Sequence, residues 1–315
     1  MRAAVESGRS RTGRPAPAVA LDQVTKIYPG DVRALDGVSL TVERGTFLAV
    51  MGPSGSGKST LMHCAAGLDT PTGGNVSIDG TAIGGLNETR RAELRRERVG
   101  FVFQSYNLVP SLSVADNITL PLRLARRAPD RDWLRLLVER VGLGGRLERR
   151  PAELSGGQQQ RAAIARALVT KPAVVFGDEP TGALDLRTAR EVLGLLRDLV
   201  DGLGQTVVMV THDPAAAARA DHVLVMADGR VRDTFDKPTA AELAHRITTL
   251  DGSATDGATL PPSDGSATGH TTLPPSDGSA TGRTPLSPPD GSATGRTTLP
   301  PPDGSATGRP ALETE

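Results

Sequence analysis

The chain has 315 residues, in which 36 lysines and arginines balance 36 aspartates and glutamates. A net charge of zero gives no global field that would draw the protein to nucleic acid or to an acidic membrane surface, so no nucleic-acid partner is expected. Hydrophobic residues make up only 37% of the chain, and the deficit lies in the C-terminal tail. The first ~250 residues must therefore carry the core.

The cysteine count and the absence of long apolar segments indicate the cellular compartment. Its single cysteine, Cys64, excludes an internal disulfide and fits a reducing environment. No segment reaches the ~18 consecutive apolar residues of a membrane span. A secretory signal has an apolar stretch after its basic N-terminus, and the arginine-bearing N-terminus of this chain has none. We therefore expect a cytoplasmic protein.

The N-terminal part predicts a strand that ends in a phosphate-binding loop. Residues 1–17 are rich in Arg, Gly, Ser and Pro and are expected to form a disordered leader. β-type runs follow at Val19–Tyr28, Ala34–Val42 and Thr46–Met51. The third run leads into Gly52-Pro53-Ser54-Gly55-Ser56-Gly57-Lys58-Ser59, which fits the pattern G-x-x-x-x-G-K-[ST], and a helix is predicted from near Gly57.

Strands and helices alternate through the middle of the chain. Their predicted order is strand Asn75–Asp79, solvated helix Asn87–Arg98, strand Val99–Phe103 and a helical pattern over Val114–Val141. After the break at Pro151, Ser155 is the predicted N-cap of a helix that ends near Leu168.

The alternation continues toward the C-terminus. The short apolar run Ala173–Phe176 is typical of a buried parallel strand. The following predicted elements are helix Thr188–Val200, strand Thr206–Val210, a cap at Asp213, and strands Val223–Met226 and Val231–Phe235, joined by a tight turn at Asp228-Gly229. This order predicts an α/β fold with a mostly parallel sheet, helices on both faces, and a helical insertion over residues 86–170.

The tail from residue 251 to 315 is repetitive. Asp-Gly-Ser-Ala-Thr recurs at a strict period of 13, starting at Asp251, Asp264, Asp277, Asp290 and Asp303. The repeat is too poor in apolar residues to build a core, so we expect a disordered tail. Tandem duplication without a specific role is the simplest origin of the repeats.

The segment Leu154-Ser155-Gly156-Gly157-Gln158, together with the phosphate loop, resembles the ATP-binding cassette (ABC) ATPases over residues 18–245. The resemblance implies a P-loop NTPase cassette over residues 18–250, with a mostly parallel sheet and a small antiparallel β subdomain. A helical subdomain would carry the signature motif over about residues 86–170, and the disordered tail would follow.

The resemblance also implies how ATP and Mg²⁺ are bound. Lys58 reaches the β- and γ-phosphates, Ser59 ligates Mg²⁺ through its hydroxyl, and Thr60 continues the loop. Tyr28 matches the aromatic residue that stacks on adenine, with a packing role as the alternative. The residues expected to surround the nucleotide in this way are Tyr28, Gly52, Pro53, Ser54, Gly55, Ser56, Gly57, Lys58, Ser59 and Thr60.

Four further positions match the family's hydrolysis residues. Asp178, at the end of an apolar strand, would hold Mg²⁺, and the adjacent Glu179 would polarise the attacking water. Gln104 matches the glutamine that senses Mg²⁺ and the γ-phosphate, so it counts among the expected metal-site residues with Ser59 and Asp178. His212 matches the switch histidine that contacts the γ-phosphate.

The signature motif implies a partner subunit. In the family, Ser155, Gly156, Gly157 and Gln158 face ATP bound by the other subunit, and Asp185 lies in the loop that contacts that subunit. One phosphate loop and one signature per chain imply a head-to-tail dimer, formed with a second copy or a closely related cassette, around two ATP molecules.

The regions around Gln104 resemble one bacterial branch, which contains the lipoprotein-releasing, macrolide-export and cell-division ATPases. We therefore expect a peripheral protein on the inner face of the cell membrane, attached to a permease in a separate chain and docked through Tyr106–Leu122. Export is the first hypothesis. The alternative is a non-transport ATPase that regulates a cell-division or cell-wall complex. Leu186 stands where Ser is common in this branch.

Overall fold

The computed structural model describes residues 15–255 of the chain. The strands are β1 (Val19–Tyr28), β2 (Val32–Val42), β3 (Phe47–Met51), β4 (Gly73–Ile78), β5 (Thr81–Ala82), β6 (Val99–Phe103), β7 (Val174–Asp178), β8 (Val207–Val210), β9 (His222–Ala227) and β10 (Arg230–Asp236). The helices are α1 (Lys58–Ala65), α2 (Glu88–Arg98), α3 (Val114–Leu124), α4 (Arg131–Arg140), α5 (Gly156–Leu168), α6 (Leu186–Leu203), α7 (Pro214–Ala217) and α8 (Ala240–Thr255).

The strands form two sheets. The larger sheet has the order β10-β9-β3-β8-β7-β6, and all its neighbouring strands are parallel except β9 and β10. The smaller sheet is antiparallel, in the order β2-β1-β4-β5. This mixed α/β architecture confirms the predicted fold class.

The central strands are apolar on both faces because both faces are covered. In β3, the side chains of Phe47, Ala49 and Met51 enter one hydrophobic cluster, while Leu48 and Val50 enter another. This alternation follows from the two-residue period of a strand. The first cluster is completed by residues from helices α3 to α6, and the second by residues from α1 and the smaller sheet. The two cores fix the larger sheet between two layers.

The boundary residues of the helices follow local chemistry. Ser155 caps α5, and Asp185 caps α6 by accepting hydrogen bonds from two backbone N–H groups of its first turn. The predicted cap at Asp213 is also present, although α7 is short. Side-chain oxygens at these positions pair donors that a helix leaves free at its N-terminus.

The predicted helical stretch over Val114–Val141 is two helices. Helix α3 ends at Leu124, and α4 begins at Arg131. Between them, Arg126 adopts a left-handed backbone with φ 53°, and Asp130 caps α4 by accepting hydrogen bonds from the N–H groups of Asp132 and Trp133. The charged stretch Arg126–Asp132 interrupts the apolar pattern here, and Pro129 followed by the cap Asp130 marks the start of α4.

The C-terminal helix runs past the predicted start of the tail. Leu243, Ile247 and Leu250 pack against the first hydrophobic cluster, and α8 continues to Thr255 rather than stopping at residue 250. Residues 1–14 of the predicted leader and residues 256–315 of the predicted tail lie outside the described residues. The assignment of both segments stays a prediction.

We predict that removing residues 256–315 leaves the stability of the cassette unchanged, because the repeats are too poor in apolar residues to contribute a core. The truncated and full-length proteins should have thermal midpoints that agree within about 2 °C, since a change of 1 kcal/mol would shift Tm by only a few degrees at this size. A matched truncation after residue 242 should lower Tm clearly, because it removes Leu243, Ile247 and Leu250 from the core. A large loss of Tm in the first truncation would show that the repeats pack on the cassette.

Candidate functional site

The phosphate loop and the predicted hydrolysis residues converge on one edge of the larger sheet. The phosphate loop follows β3, the Asp178-Glu179 pair ends β7, Gln104 follows β6, and His212 comes two residues after β8. These four strands are parallel. Their carboxyl ends therefore meet at the same edge, where ligands bind in open α/β sheets.

The phosphate loop depends on close backbone approaches. A Cβ atom on Gly52 would lie 2.1 Å from the carbonyl oxygen of Met226, and one on Gly57 would lie 2.3 Å from that of Ala34. Gly57 also has a left-handed φ of 97°. It opens α1 without a side-chain cap, and the first turn of the helix holds no acidic residue. The N-terminal N–H groups of α1 can thus converge on an anion.

Lys58 is folded back on its own loop. Its ammonium group donates hydrogen bonds to the carbonyl oxygens of Gly52 and Pro53, at 2.8 and 2.7 Å. Burial lowers the pKa of this lysine, while the negative charges of Glu179 and Asp178 raise it. The loop therefore carries a half-buried cation whose charge is felt by the two acids at the end of β7.

Asp178 fits a divalent cation. Burial raises the pKa of this half-buried carboxyl and the charge of Glu179 raises it further, whereas the charges of His63 and Lys58 lower it without offsetting this rise. Within residues 15–255, no arginine, lysine or histidine lies within salt-bridge distance of it. The hydroxyl of Ser59 and the amide oxygen of Gln104 are hard oxygen ligands like this carboxylate, which is the set that Mg²⁺ prefers.

Glu179 is held in an unusual backbone conformation. Its φ is 46°, in a region that residues other than glycine visit rarely and that recurs at functional sites. The backbone N–H of Glu179 donates to the carbonyl oxygen of Val210, at 3.0 Å. Its side chain lies 2.7 Å from Nδ1 of His212, which is 76% exposed. The pair thus faces outward from the end of the sheet.

Gln104 lies against the turn that follows β7. A Cβ atom on Gly182 would come within 2.8 Å of the side-chain nitrogen of Gln104. A residue without a side chain at position 182 therefore leaves room for the glutamine. Because Gly182 follows Glu179 by three residues and donates a backbone hydrogen bond to it, Gln104 and Glu179 share one small region.

Tyr28 is anchored beside the phosphate loop by its hydroxyl group. The hydroxyl donates to Asp69, at 2.9 Å, and also hydrogen-bonds Thr60 in the first turn of α1. Burial and the hydrogen bond to Asp69 raise the pKa of Tyr28. Lys26 pairs with Asp69 at 2.6 Å and lies over the tyrosine ring, 4.9 Å from its centroid. Asp69 and Lys26 were not singled out in the sequence because neither belongs to a motif.

The signature residues open a second, separate cleft. Ser155 and Gln158 form a capping box at the start of α5. They line a polar cleft of about 200 Å³ together with Gly142, Arg146, Gly157, Arg161, Thr188 and Glu191. None of these residues belongs to the phosphate loop. The signature cleft therefore does not include the chain's own phosphate loop.

Gly157 and Asp185 join α5 to α6. A Cβ atom on Gly157 would lie 2.2 Å from the methyl group of Thr188. Asp185, expected to contact a partner, caps α6 and accepts a hydrogen bond from the hydroxyl of Thr188, at 2.6 Å. This hydrogen bond and those of the α6 backbone hold the pKa of Asp185 below its usual range. The loop before α6 and the signature are thus one packed unit.

The segment Tyr106–Leu122, which is the expected docking surface, has near its start two half-buried residues, Tyr106 and Leu108, that also make contacts within the chain. The hydroxyl of Tyr106 would lie 2.8 Å from a Cβ atom on Gly156, and Leu108 packs against the first hydrophobic cluster. Arg166 holds the segment by donating to the backbone carbonyl oxygens of Tyr106 and Asn107. Side-chain hydrophobicity could not reveal that these residues pack on their own chain.

A groove of about 280 Å³ lies beside this segment. Its floor is strand β6, and its walls come from α2, α3 and α5; the lining residues are Arg96, Val99, Gly100, Phe101, Phe103, Asn107, Pro121, Arg166, Ala167 and Thr170. The lining combines aromatic rings with two arginines and contains no acidic residue. Burial lowers the pKa of Arg166. Such a groove suits a segment that is apolar and carries negative charge.

Gln160 is a further residue of this region, and no sequence motif assigned it a role. Its side chain is fully buried and donates to the backbone carbonyl oxygens of Phe103 and Pro180. Two glutamines precede it in the motif, and the sequence alone gave no signal that the third one is buried.

The helices within residues 15–255 include none that is both long enough and apolar enough to cross a membrane.

Comparison with known proteins identifies relatives of the described part of the chain. A family model for ABC transporters matches residues 35–182. The lipoprotein-releasing system ATP-binding protein LolD of Bordetella avium is 47% identical over 221 residues, which cover 68% of this chain and 95% of LolD. The macrolide export ATP-binding/permease protein MacB of Hyphomonas neptunium is 46% identical over 237 residues, or 72% of this chain. The chain spans only 36% of the length of that MacB protein.

Solved structures give the same result. A dimeric structure of the ATP-binding cassette MJ0796, in a post-hydrolysis state bound to ADP and Pi, superposes with a TM-score of 0.63 at 38% identity. The match covers 70% of this chain and 99% of that one. The cbiO1 protein of Clostridium perfringens, part of an ABC transporter complex, matches with a TM-score of 0.66 at 28% identity over 76% of this chain.

We predict that Gly57→Ala destabilises the protein more than Gly55→Ala. Both glycines have left-handed φ angles, 97° and 77°, so both substitutions add about 1 kcal/mol of backbone strain. Only the Cβ atom at position 57 also meets backbone, since nothing lies within 4 Å at position 55. The clash should add about 1–3 kcal/mol to the loss in free energy of unfolding, as measured by urea denaturation. Equal losses in the two variants would contradict the close approach at Gly57.

Proposed function

The chain belongs to the ABC transporter family of ATP-binding cassette ATPases, and we propose that it is the subunit that drives a membrane permease carried by a separate chain. That the chain is an ATP-hydrolysing cassette follows from its membership of the family. The observation that carries the rest is the convergence of Lys58, Glu179, His212 and other motif residues at one sheet edge, with the signature in another cleft.

We propose that the phosphate loop and Lys58 bind the phosphates of ATP. The ammonium group now pairs with two carbonyl oxygens of its own loop. The phosphates offer it stronger, charge-assisted hydrogen bonds, so it should turn toward them when ATP binds. The uncapped start of α1 supplies further N–H donors. Tyr28 would stack on adenine, with its ring oriented by Asp69 and Lys26.

Ser59, Asp178 and Gln104 would hold Mg²⁺, which when bound neutralises charge that builds up on the phosphates. The chain's own residues do the rest. Glu179 would orient the attacking water and take its proton, and the 2.7 Å contact with His212 would hold the carboxylate in place. Gln104, beside Gly182, is close enough to this region to respond to the presence of the γ-phosphate.

We propose that two cassettes act as a head-to-tail dimer. The signature cleft contains Ser155, the N-terminus of α5, Arg146 and Arg161, and Arg161 pairs with Glu191 at 3.1 Å. The hydroxyl, the helix N-terminus and Arg146 suit the phosphates of a nucleotide. Because this cleft shares no residue with the phosphate loop of its own chain, it is available to the ATP of a partner. The MJ0796 cassette is dimeric in its solved structures. ATP would favour the closed dimer because it binds that state more tightly.

The groove on strand β6 is the proposed docking site for the permease. It lies beside the segment between Gln104 and α3, so a partner seated there touches the chain next to the site of hydrolysis. Its apolar floor and two arginines favour a permease segment with apolar residues and at least one carboxylate. Peripheral attachment to the membrane would then come from this contact.

The names of the relatives support export. LolD is named for releasing lipoproteins and MacB for exporting macrolides. We propose that this chain supplies the ATPase for a permease of the same kind, which transmits force rather than forming a simple channel. A non-transport role in cell division would use the same site and the same docking groove.

We predict that Glu179→Gln abolishes hydrolysis while ATP binding is retained. The substitution keeps the shape of the side chain and leaves the phosphate loop untouched, but the neutral amide cannot take a proton from water. Turnover should fall at least ~100-fold, and the variant should accumulate with Mg-ATP as a dimer in size-exclusion chromatography. Lys58→Ala serves as the control, because it should lose nucleotide binding and the dimer together. Near-normal turnover in Glu179→Gln would exclude the proposed role.

We predict that Thr170→Trp blocks docking without affecting the ATPase itself. Thr170 lines the groove, so an indole ring should fill much of its volume of about 280 Å³. The isolated variant should keep its basal turnover, whereas its co-purification with the permease from native membranes should be lost. Thr248→Trp is the matched control, since Thr248 is an exposed residue of α8. If Thr170→Trp co-purifies as well as the control, the permease docks elsewhere.

A further inference from the structure

Gln160 is a fully buried polar residue in α5, five positions after the helix cap Ser155. Its side-chain amide donates to the carbonyl oxygen of Phe103, at 3.3 Å, and to that of Pro180, at 2.5 Å. The side-chain oxygen is buried and has no hydrogen-bond partner within residues 15–255. Buried polar atoms without partners are rare, so the position of this side chain requires an explanation.

The two acceptors lie where the sheet stops. Phe103 and Asp178 are the last paired residues of β6 and β7. Beyond these residues the two strands separate. The segment after β6 continues into Gln104, and the segment after β7 turns through Glu179 and Pro180. The amide of Gln160 therefore links the two segments at the point where the hydrogen bonds of the sheet end. This point lies immediately beside Gln104 and Glu179 in the sequence.

The chemistry of the contact requires a donor. Both partners are carbonyl oxygens, so only the NH₂ group of an amide can face them, and the orphaned oxygen is the consequence. A side chain that merely filled space would be apolar here and would leave no unpaired oxygen. The retained amide thus indicates a role in holding these two carbonyls.

We propose that Gln160 is a positioning residue, which fixes Gln104 and Glu179 relative to the helix that carries the signature motif. Its side chain is fully buried, so it would act through the backbone of Phe103 and Pro180. The inference rests on the proposed function, because it assumes that Gln104 and Glu179 act in hydrolysis.

The position of Gln160 has a consequence for a dimer. Its helix begins with Ser155 and Gly156, which would contact the ATP of the partner, whereas Gln104 and Glu179 would act on the ATP of the same chain. A displacement of α5 by the partner's nucleotide would then move the two hydrolysis residues through the amide of Gln160. One helix would therefore link the two ATP sites.

The test is a comparison of Gln160→Met with Gln205→Met in the full-length protein. Gln205 is a matched control, because its amide also donates to two backbone carbonyl oxygens, those of Pro172 and Thr206, but outside the site. We expect Gln160→Met to lower kcat for ATP about 10–100-fold, as small misplacements of reacting groups do. Its KM and its dissociation constant for nucleotide should stay within about twofold of the parent values, because the phosphate loop is unchanged.

Gln205→Met should keep the parent's kcat even if both variants lose Tm. Gln160→Leu, which also removes the hydrogen-bond donor, should lose kcat as Gln160→Met does, and it replaces that variant if the latter does not fold. Equal kcat in the parent and the Gln160 variants would overturn the inference. Glu179→Gln is measured in parallel: if it also hydrolyses normally, the proposed function has failed, whereas if it is inactive the failure belongs to Gln160 alone.

Discussion

The parallel pairing of β3, β8, β7 and β6 is the constraint on which the candidate site depends. Each strand ends in a different functional segment, and parallel pairing brings these ends to one edge. The strands can pair in this way only because both faces of the sheet are buried, one by helices α3 to α6 and the other by α1 and the smaller sheet. Placing the ammonium group and the acids of the site close together is therefore a result of core packing, not of local loop structure alone.

Much of the site could be predicted from the sequence because its chemistry depends on backbone geometry. Gly52 and Gly57 lie where a side chain would meet a carbonyl oxygen, so only glycine fits at these positions. The spacing of these glycines can therefore be recognised in the sequence. Ser155 is recognisable for a similar reason, since few side chains cap a helix. The central strands of the larger sheet are short apolar runs because hydrophobic clusters cover both faces. Their positions along the chain can therefore be predicted from the sequence as well.

The remainder depends on contacts between distant segments. Gln160 resembles its two neighbouring glutamines in every respect that a sequence records, and only the packing of α5 against the ends of β6 and β7 buries it. Tyr106 is a residue type that is common at protein interfaces, yet its hydroxyl lies beside Gly156 of the signature motif. Asp69 orients Tyr28 across 41 residues of chain. Nothing in local periodicity encodes such pairings, because each partner is set by the tertiary fold.

The two outer strands of the larger sheet are protected very differently. Strand β10 alternates exposed and half-buried residues and carries charged groups along its length, the usual defence against unwanted strand addition. Strand β6, at the opposite edge, carries no charged side chain of its own and presents Phe101 and Phe103 to the groove. If the proposed permease occupies this groove, a cell that makes more of this chain than of the permease would accumulate copies in which the groove is unoccupied. Those surplus copies would be the ones that self-associate or are degraded, so the abundance of the cassette would come to follow that of its partner.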